Sequence, residues 1–390
     1  MVQLPVYLDN HATTPCDSRV IDAMMPYHGS LYGNASSKGH LFGWQASEAV
    51  QIAREEISAL LGVDPSEIIF TSGATESINL AIKGVYEMFS GKGKHIITIS
   101  TEHRAVLDTC RHLEKQGAEI SYLPVQQDGL IDVDLLKSTI RPETILIVVM
   151  IANNETGVIQ PIKQIGQLAK EKHILFFTDA TQALGKMPLD IVEDGIDLLA
   201  CSAHKIYGPK GVGALYIRRK NPRVKLFAQL DGGGQERGLR GGTLNVPGIV
   251  GFGKAARLAT AEMESDLKSI GRLRNKLEQA LTGLEGTTLN GNRLHRLPTV
   301  TNISFSQGTG NKMLERLLKD VAVSSGSACS SASPEPSHVL KAMGLDDDTA
   351  YHAIRFSLGK YNTNEEIDFV IEKATQTLEI IRETEKLENL

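Results

Sequence analysis

This chain of 390 residues has no long hydrophobic run: its longest aliphatic stretch, Ile145 to Ala152, falls far short of the roughly 18 apolar residues a membrane span needs. A helical membrane protein is therefore excluded. Positive charge is not in excess either. Lys and Arg number 41 against 46 Asp and Glu, for a formal net charge of -5 and a pI near 6.1. No basic stripe is interleaved with aromatics, so direct nucleic-acid binding is not expected. Met1 to Pro5 contains no basic leader and Asp9 interrupts any apolar signal core, so the protein is expected to be soluble and cytoplasmic. Cysteine is scarce. Cys16, Cys110, Cys201 and Cys329 are widely spaced without a Cys-x-x-Cys pair, which argues against a disulfide framework or zinc site and for a reducing compartment. No repeat, low-complexity tract or Walker A motif occurs, and the glycines of Gly208 to Gly213 lead into a strand rather than a helix, unlike a dinucleotide fingerprint.

Between roughly residues 68 and 220, apolar strand segments alternate with helical ones, the pattern of a mostly parallel sheet covered by helices. The predicted strands are Ile68 to Thr71, His95 to Ser100, Ile120 to Leu123, Ile145 to Ile151, Ile174 to Thr178, Leu198 to Cys201 and Gly213 to Ile217. Ser77 to Phe89 reads as a helix. A long helix is expected from about Pro247 to Leu281, because Ala256, Ala259, Met263, Leu267, Ile270, Leu273, Leu277 and Leu281 recur at gaps of three and four. From about residue 288 onward the pattern is α+β, with strands at Thr299 to Phe305 and Ala322 to Ser325 and a charged amphipathic helix from Asn364 to Leu387.

Two strand ends carry the most informative chemistry. Phe176 to Thr178 is followed by Asp179, Ala180, Thr181 and Gln182, and Leu198 to Cys201 by Ser202, Ala203, His204 and Lys205. Open α/β sheets bind ligands at such ends. Alone, Lys205 reads as a solvated loop lysine and Asp179 as a helix cap; together, an amine and a carboxylate suit pyridoxal 5'-phosphate, which needs a lysine for its imine and an acid opposite its pyridinium nitrogen. Opposite charges ~3 Å apart attract by roughly 5 kcal/mol at an effective dielectric of ~20, enough to hold a ring nitrogen protonated at neutral pH. Gln182 could then donate to the ring oxygen. Gly73 to Ser77, with Ala74 and Thr75, opens a helix and reads as an anion site or equally as an ordinary cap. A helix dipole contributes only about 0.3 to 1 kcal/mol, so further phosphate donors such as Ser202 and His204 are expected. His103 could stack on a planar ring and move protons. Asn153 offers an amide at the same edge, and Arg355 is either a bidentate fork for a substrate carboxylate or half of an internal salt bridge. Cys329 lies in the small-residue run Ser324 to Pro334, which offers nothing to build a core around it, so it is read as an exposed, mobile thiol.

These motifs together resemble the cysteine desulfurases of the NifS/IscS type, class V aminotransferase-like enzymes of pyridoxal-phosphate fold type I. The resemblance runs nearly end to end. It includes Tyr7 to Asn10 with Ala12 to Thr14, Asn34 to Ser37, Gly73 to Ser77, Glu102-His103, Asn153 to Glu155, Asp179 to Gln182, Ser202 to Lys205, Gly233 to Thr243, Ser324 to Pro334 and Arg355 to Ser357. It implies an α/β, aspartate-aminotransferase-like fold: a large cofactor-binding domain over 16–257 with a mostly parallel sheet, and a smaller α+β domain formed by 1–15 and 258–390. By the same resemblance Lys205 would form the internal aldimine and move the α-proton, with Asp179, Gln182 and His103 on the ring. Ala74, Thr75, Ser202, His204 and, from the other subunit of a homodimer, Thr243 would hold the phosphate, and Asn153 would also contact the cofactor. Asn34, Asn153 and Arg355 would orient L-cysteine. Cys329 would take its sulfur as a persulfide for an acceptor protein, leaving L-alanine, in the service of iron–sulfur cluster or other sulfur-containing biomolecule synthesis. No metal is implied. Selenocysteine lyase, a class V aminotransferase and a non-enzymatic sulfur-carrier or scaffold-binding module remain as alternatives. His11 and Gly241 depart from the family's usual smaller or uncharged residue and serine.

Overall fold

The structure is a computed structural model that describes residues 2–305, 317, 319–325 and 336–388. Its strands in chain order begin with β1 (Val6–Tyr7), β2 (Ile68–Thr71), β3 (His95–Ile99), β4 (Glu119–Leu123) and β5 (Thr144–Val148). They continue with β6 (Leu175–Asp179), β7 (Leu198–Ser202), β8 (Gly213–Ile217), β9 (Thr287–Leu289) and β10 (Val300–Phe305). The last three are β11 (Val321–Ala322), β12 (Ser324–Ser325) and β13 (Ala353–Ser357). The central sheet has seven strands in the order β2-β8-β7-β6-β5-β3-β4. All run parallel except β8, which is antiparallel to both β2 and β7. The predicted α/β class and mostly parallel sheet are what the structure has.

Strands β3, β5 and β7 are buried along their whole length because both sheet faces are covered, which explains their continuous apolar runs. Side chains alternate between two cores. Phe70, Ile97, Ile99 and Ile147 face one, with the helix Leu41–Leu61 and the first turns of the helix Val246–Thr282; Ile69, Ile96, Leu146 and Val148 face the other, with the helices Ala74–Phe89 and Arg104–Glu114. A third core joins Val6 and Leu8 of the N-terminal segment to β10, β13, the helix Asn364–Glu388 and the far end of the helix Val246–Thr282. These elements surround a four-stranded antiparallel sheet of order β12-β13-β10-β9.

The long helix thus serves two cores. Ala256 is buried in the first and Ile270, Leu273, Leu277 and Leu281 in the third, while Ala259, Met263 and Leu267 between them are only half-buried, where the helix crosses from one to the other. Asn245 caps its start by accepting from Gly248 N at 3.1 Å. A second difference from the sequence pattern lies at the helix predicted to begin at Ser77. It begins at Ala74, with Gly73 as cap, so Ala74 and Thr75 belong to its first turn and their amides lie among the unpaired donors of a helix start.

Close approach of β8 to the Gly73 turn fixes where that helix starts. A methyl group on Gly213 would lie 2.6 Å from both Gly73 Cα and Cys201 O, and backbone on both sides cannot yield. Gly213→Ala is expected to lower the unfolding free energy by about 1–3 kcal/mol, read as a shifted urea midpoint. Gly91→Ala, where a methyl group meets nothing within 4 Å, should shift it far less.

Candidate active site

The ends of β2, β3, β5, β6 and β7 lie at one edge of the sheet, and the polar residues that follow them converge there. Asp179 closes β6, and its Oδ1 accepts from Thr181 N at 2.8 Å. One tight turn after β7, Ala203–Lys205, delivers Lys205, whose Nζ donates to His11 O at 2.6 Å and Ala12 O at 2.7 Å. Past β2 the Gly73 turn is braced by Thr71 Oγ1 and Ser77 Oγ, 2.8 Å apart. Past β3, His103 caps the helix Arg104–Glu114, its Nδ1 accepting from Ala105 N at 3.1 Å. Thr75, His103, Asp179, Gln182, Ser202 and Lys205 line a single cavity of about 430 Å³, and Ala74, His204 and Arg355 also reach it.

The surroundings disfavour charge on the imidazoles and on one carboxyl. His11 is buried between Asn154 O at 3.2 Å and Thr299 Oγ1 at 2.9 Å; burial, then Lys186 and Arg355, hold it well below the usual histidine range. Burial and the nearby Lys205 push His204 down to about 4, and burial lowers His103. Glu102, fully buried with Oε1 accepting from Met150 N, is held well above the carboxylate range by burial and by Asp179. Cations gather at the same place. Arg355 pairs with Asp9 at 2.7 Å and donates to Asn154 O at 3.1 Å. Its internal salt bridge and its place on the cavity wall therefore coexist.

The wall retains polar atoms without a partner: Asn154 Oδ1, Thr181 Oγ1 and Arg355 Nε are buried and make no hydrogen bond among the described residues. Orphaned buried groups of this kind are rare and mark a place where a polar molecule belongs. A helix start, two hydroxyls, a lysine amine and a carboxylate around a cavity of this volume match the phosphate, amine-reactive carbon and ring nitrogen of pyridoxal 5'-phosphate.

Several residues singled out in the sequence stand elsewhere. Asn153 is not on the cavity wall: its amide donates to Thr101 O at 3.0 Å, and its oxygen accepts from Glu155 N and Thr156 N. That closed turn spends every polar atom of Asn153 and presents Asn154 instead. An Asn that bonds backbone amides two and three residues on is a turn signal readable in the sequence. Asn34 is exposed and bonds Ser36 N, away from the cavity. Thr243 is exposed too, in a glycine-rich loop held to the helix Leu41–Leu61 by the buried Arg54–Glu236 pair at 2.7 Å, to β2 by Glu236 Oε2 accepting from Phe70 N at 2.7 Å, and to the helix Ala74–Phe89 by Arg240–Glu76 at 2.8 Å. Cys329 lies outside the described residues. Cys110 and Cys201 are buried and pushed up to about 12, which leaves them inert, and Cys16 is half-buried and raised. Local pattern did not point to His11, Ala12 or Lys186. His11 and Ala12 act through backbone oxygens, and Lys186 sits behind the wall rather than on it.

The class-V aminotransferase profile matches residues 6–370. The chain is also 52% identical over 387 residues to the cysteine desulfurase IscS of Anaeromyxobacter sp. (strain Fw109-5), covering 99% of this chain and 95% of that one. The chain belongs to the class-V aminotransferase family, in its cysteine desulfurase branch. Among solved structures of the family, a NifS-like protein superposes with a TM-score of 0.90 at 39% identity, over 97% of this chain and all of that one. SspA, solved in complex with cysteine, superposes at 0.81 with 38% identity over 92% of this chain and all of the other. Proteins of this desulfurase branch depend on pyridoxal phosphate.

Behind the site, Ser337 Oγ donates to Glu155 Oε2, and His338 Nε2 lies 3.0 Å from Glu102 O, so the segment after residue 335 is docked to the loops that carry His103 and Asn154. Burial pushes Glu155 up to about 7 despite Ser337 and Arg355. A carboxyl raised from about 4.5 in the unfolded chain binds more protons folded than unfolded, so its contribution is full below pH 4.5 and is lost as pH rises through 7. Glu155→Gln should remove that loss. The variant's stability relative to the parent is expected to increase between pH 4.5 and 7 by up to about 3 kcal/mol, measured as the difference in urea midpoints across that window.

Proposed function

We infer that this protein is a cysteine desulfurase that uses pyridoxal 5'-phosphate to take sulfur from L-cysteine onto Cys329, releasing L-alanine. The observation that carries the reading is the meeting of Lys205 and Asp179 on one cavity at the C-terminal sheet edge, in a chain 52% identical to a cysteine desulfurase over 99% of its length. Lys205 would hold the cofactor through its amine, Asp179 would face the ring nitrogen, Gln182 the ring oxygen and His103 the ring. The first turn at Ala74 and Thr75, with Ser202 and His204, would take the phosphate. When bound, the cofactor withdraws electrons from the substrate's α-carbon and so loosens its bonds.

The chain's own residues supply the rest. Arg355 and Asn154 hold the substrate carboxylate, joined by Asn34 when a second copy is present. Lys205, kept in place by the His11 and Ala12 carbonyls, moves the proton at the α-carbon. The Cys329 thiol receives the sulfur: cysteine and the thiol become alanine and a Cys329 persulfide, with no outside oxidant or reductant. An acceptor protein then removes the terminal sulfur, for iron–sulfur clusters or other sulfur-containing products, in a cytoplasmic, reducing setting. We divide the chain into a large domain over 16–257 and a small one over 1–15 and 258–390, on the separation of the third core from the first two.

Cys329→Ser is expected to keep the yellow colour of bound cofactor and the spectral response to cysteine, because those depend on Lys205, Asp179 and Arg355, while sulfide and alanine production fall together at least a hundredfold (~3 kcal/mol of barrier). Near-normal desulfuration by this variant would replace the persulfide with direct elimination. The homodimer is tested by mixing inactive Lys205→Ala and Thr243→Ala chains at limiting cofactor. A phosphate site shared between subunits restores roughly a quarter of the wild-type sites, one in each heterodimer. If activity stays absent although subunits have exchanged, Thr243 serves its own chain.

A further inference from the structure

Lys186 is a buried amine that the chemistry above does not use. Its Nζ donates to Gln182 Oε1 at 2.8 Å, and Gln182 Nε2 donates to His11 O at 2.9 Å. A backbone carbonyl can only accept, so the amide nitrogen of Gln182 faces His11 and its oxygen faces Lys186. The nitrogen carries a second N–H, and Gln182 forms part of the cavity wall. Between the two residues Gly185, at φ +67°, turns the chain against Ile206 and Ala259, where a methyl group would come within 3.0–3.2 Å, so the backbone that carries Lys186 is held in register with Gln182.

We propose that Lys186 is a positioning residue for the cofactor: by donating to Gln182 Oε1 it locks the amide with its nitrogen toward the cofactor's ring oxygen, so that this oxygen meets a donor. The proposal rests on the reading of Gln182 as the contact to that oxygen. Without Lys186 the amide oxygen would lose its partner, and the His11 carbonyl alone would oppose a turn that sets oxygen against oxygen. Stability does not explain a lysine here. A buried amine whose partner among the described residues is an amide alone costs free energy, and the nearby Lys205 and Arg355 oppose a charge on it. With burial they hold it well below the usual lysine range, and it in turn lowers His11. A neutral amine still donates to Gln182, though more weakly than a cation would.

The test is a pH titration of the visible band of the holoenzyme, which follows protonation at the cofactor's imine and ring oxygen and needs no turnover. An N–H donor favours the anionic ring oxygen, so Lys186→Met is expected to raise the pH of the colour change by about one unit. Gln182→Leu should raise it by a similar amount, and Lys186→Met in the Gln182→Leu background should add nothing. The last comparison also decides the matter if the single Lys186 variant folds poorly, since both polar partners are then replaced. An unshifted titration for Lys186→Met, or a further shift in the Gln182→Leu background, overturns the proposal. An unshifted Gln182→Leu titration instead removes Gln182 from the ring oxygen, a failure of the underlying reading that is told apart by that variant alone.

Discussion

Three basic side chains, Lys186, Lys205 and Arg355, crowd the C-terminal edge of the sheet, and the cost of placing like charges together in a poorly hydrated place is the constraint the rest of the structure answers. Two of the answers are carboxylates: Asp9 pairs with Arg355, and Asp179 lies on the shared cavity. The others are oxygens of the main chain. His11 and Ala12 accept from Lys205, Asn154 accepts from Arg355, and the His11 oxygen also takes the Gln182 amide that Lys186 holds. A carbonyl brings no charge of its own to be desolvated, so it quiets a buried cation without cancelling it. Lys205 and Arg355, so held, are what an anionic cofactor and a carboxylate substrate would meet.

Holding those carbonyls in place is the work of the N-terminal segment. Val6 and Leu8 are buried in the core of the small antiparallel sheet, Asn10 and His11 bond Ser357 of β13, and the next residues reach over the edge of the large sheet. The lysine that arrives from β7 and the backbone that receives it are 194 positions apart. The helix Val246–Thr282 ties the same two cores together from the other side, with a second tether in the Asp17, Lys360 and Glu262 contacts between helix, loop and small core. The lowered proton affinity of His11 and His204 and the raised one of Glu102 answer the same constraint, because burial disfavours further charge at each of these groups.

The sheet and its polar strand ends were legible in the sequence because both depend on local patterning. Fully buried strands read as apolar runs, and a run that stops at Asp179 or at Ser202 marks the edge where ligands bind. The long helix was legible from its three-four spacing, although that spacing does not say that Ala259 to Leu267 lie between cores rather than in one. Asn154 was missed in favour of its neighbour because residue type is the same at both positions; only the turn that Asn153 closes decides which amide points at the cavity. Thr243 and Asn34 stand exposed and off the cavity, which their local sequence did not show.

By itself, then, the order of residues determined the fold class, the sheet edge that carries the chemistry, and the lysine and carboxylate delivered to it, since each follows from periodicity within about ten residues. Tertiary structure decided what those groups are paired with: the carbonyls of His11 and Ala12 under Lys205, Asp9 against Arg355, Lys186 behind Gln182. The reason is physical. A backbone oxygen is identical at every position, and a buried amine looks the same in sequence as an exposed one, so neither can be assigned until distant segments have packed and shown which donors water no longer reaches.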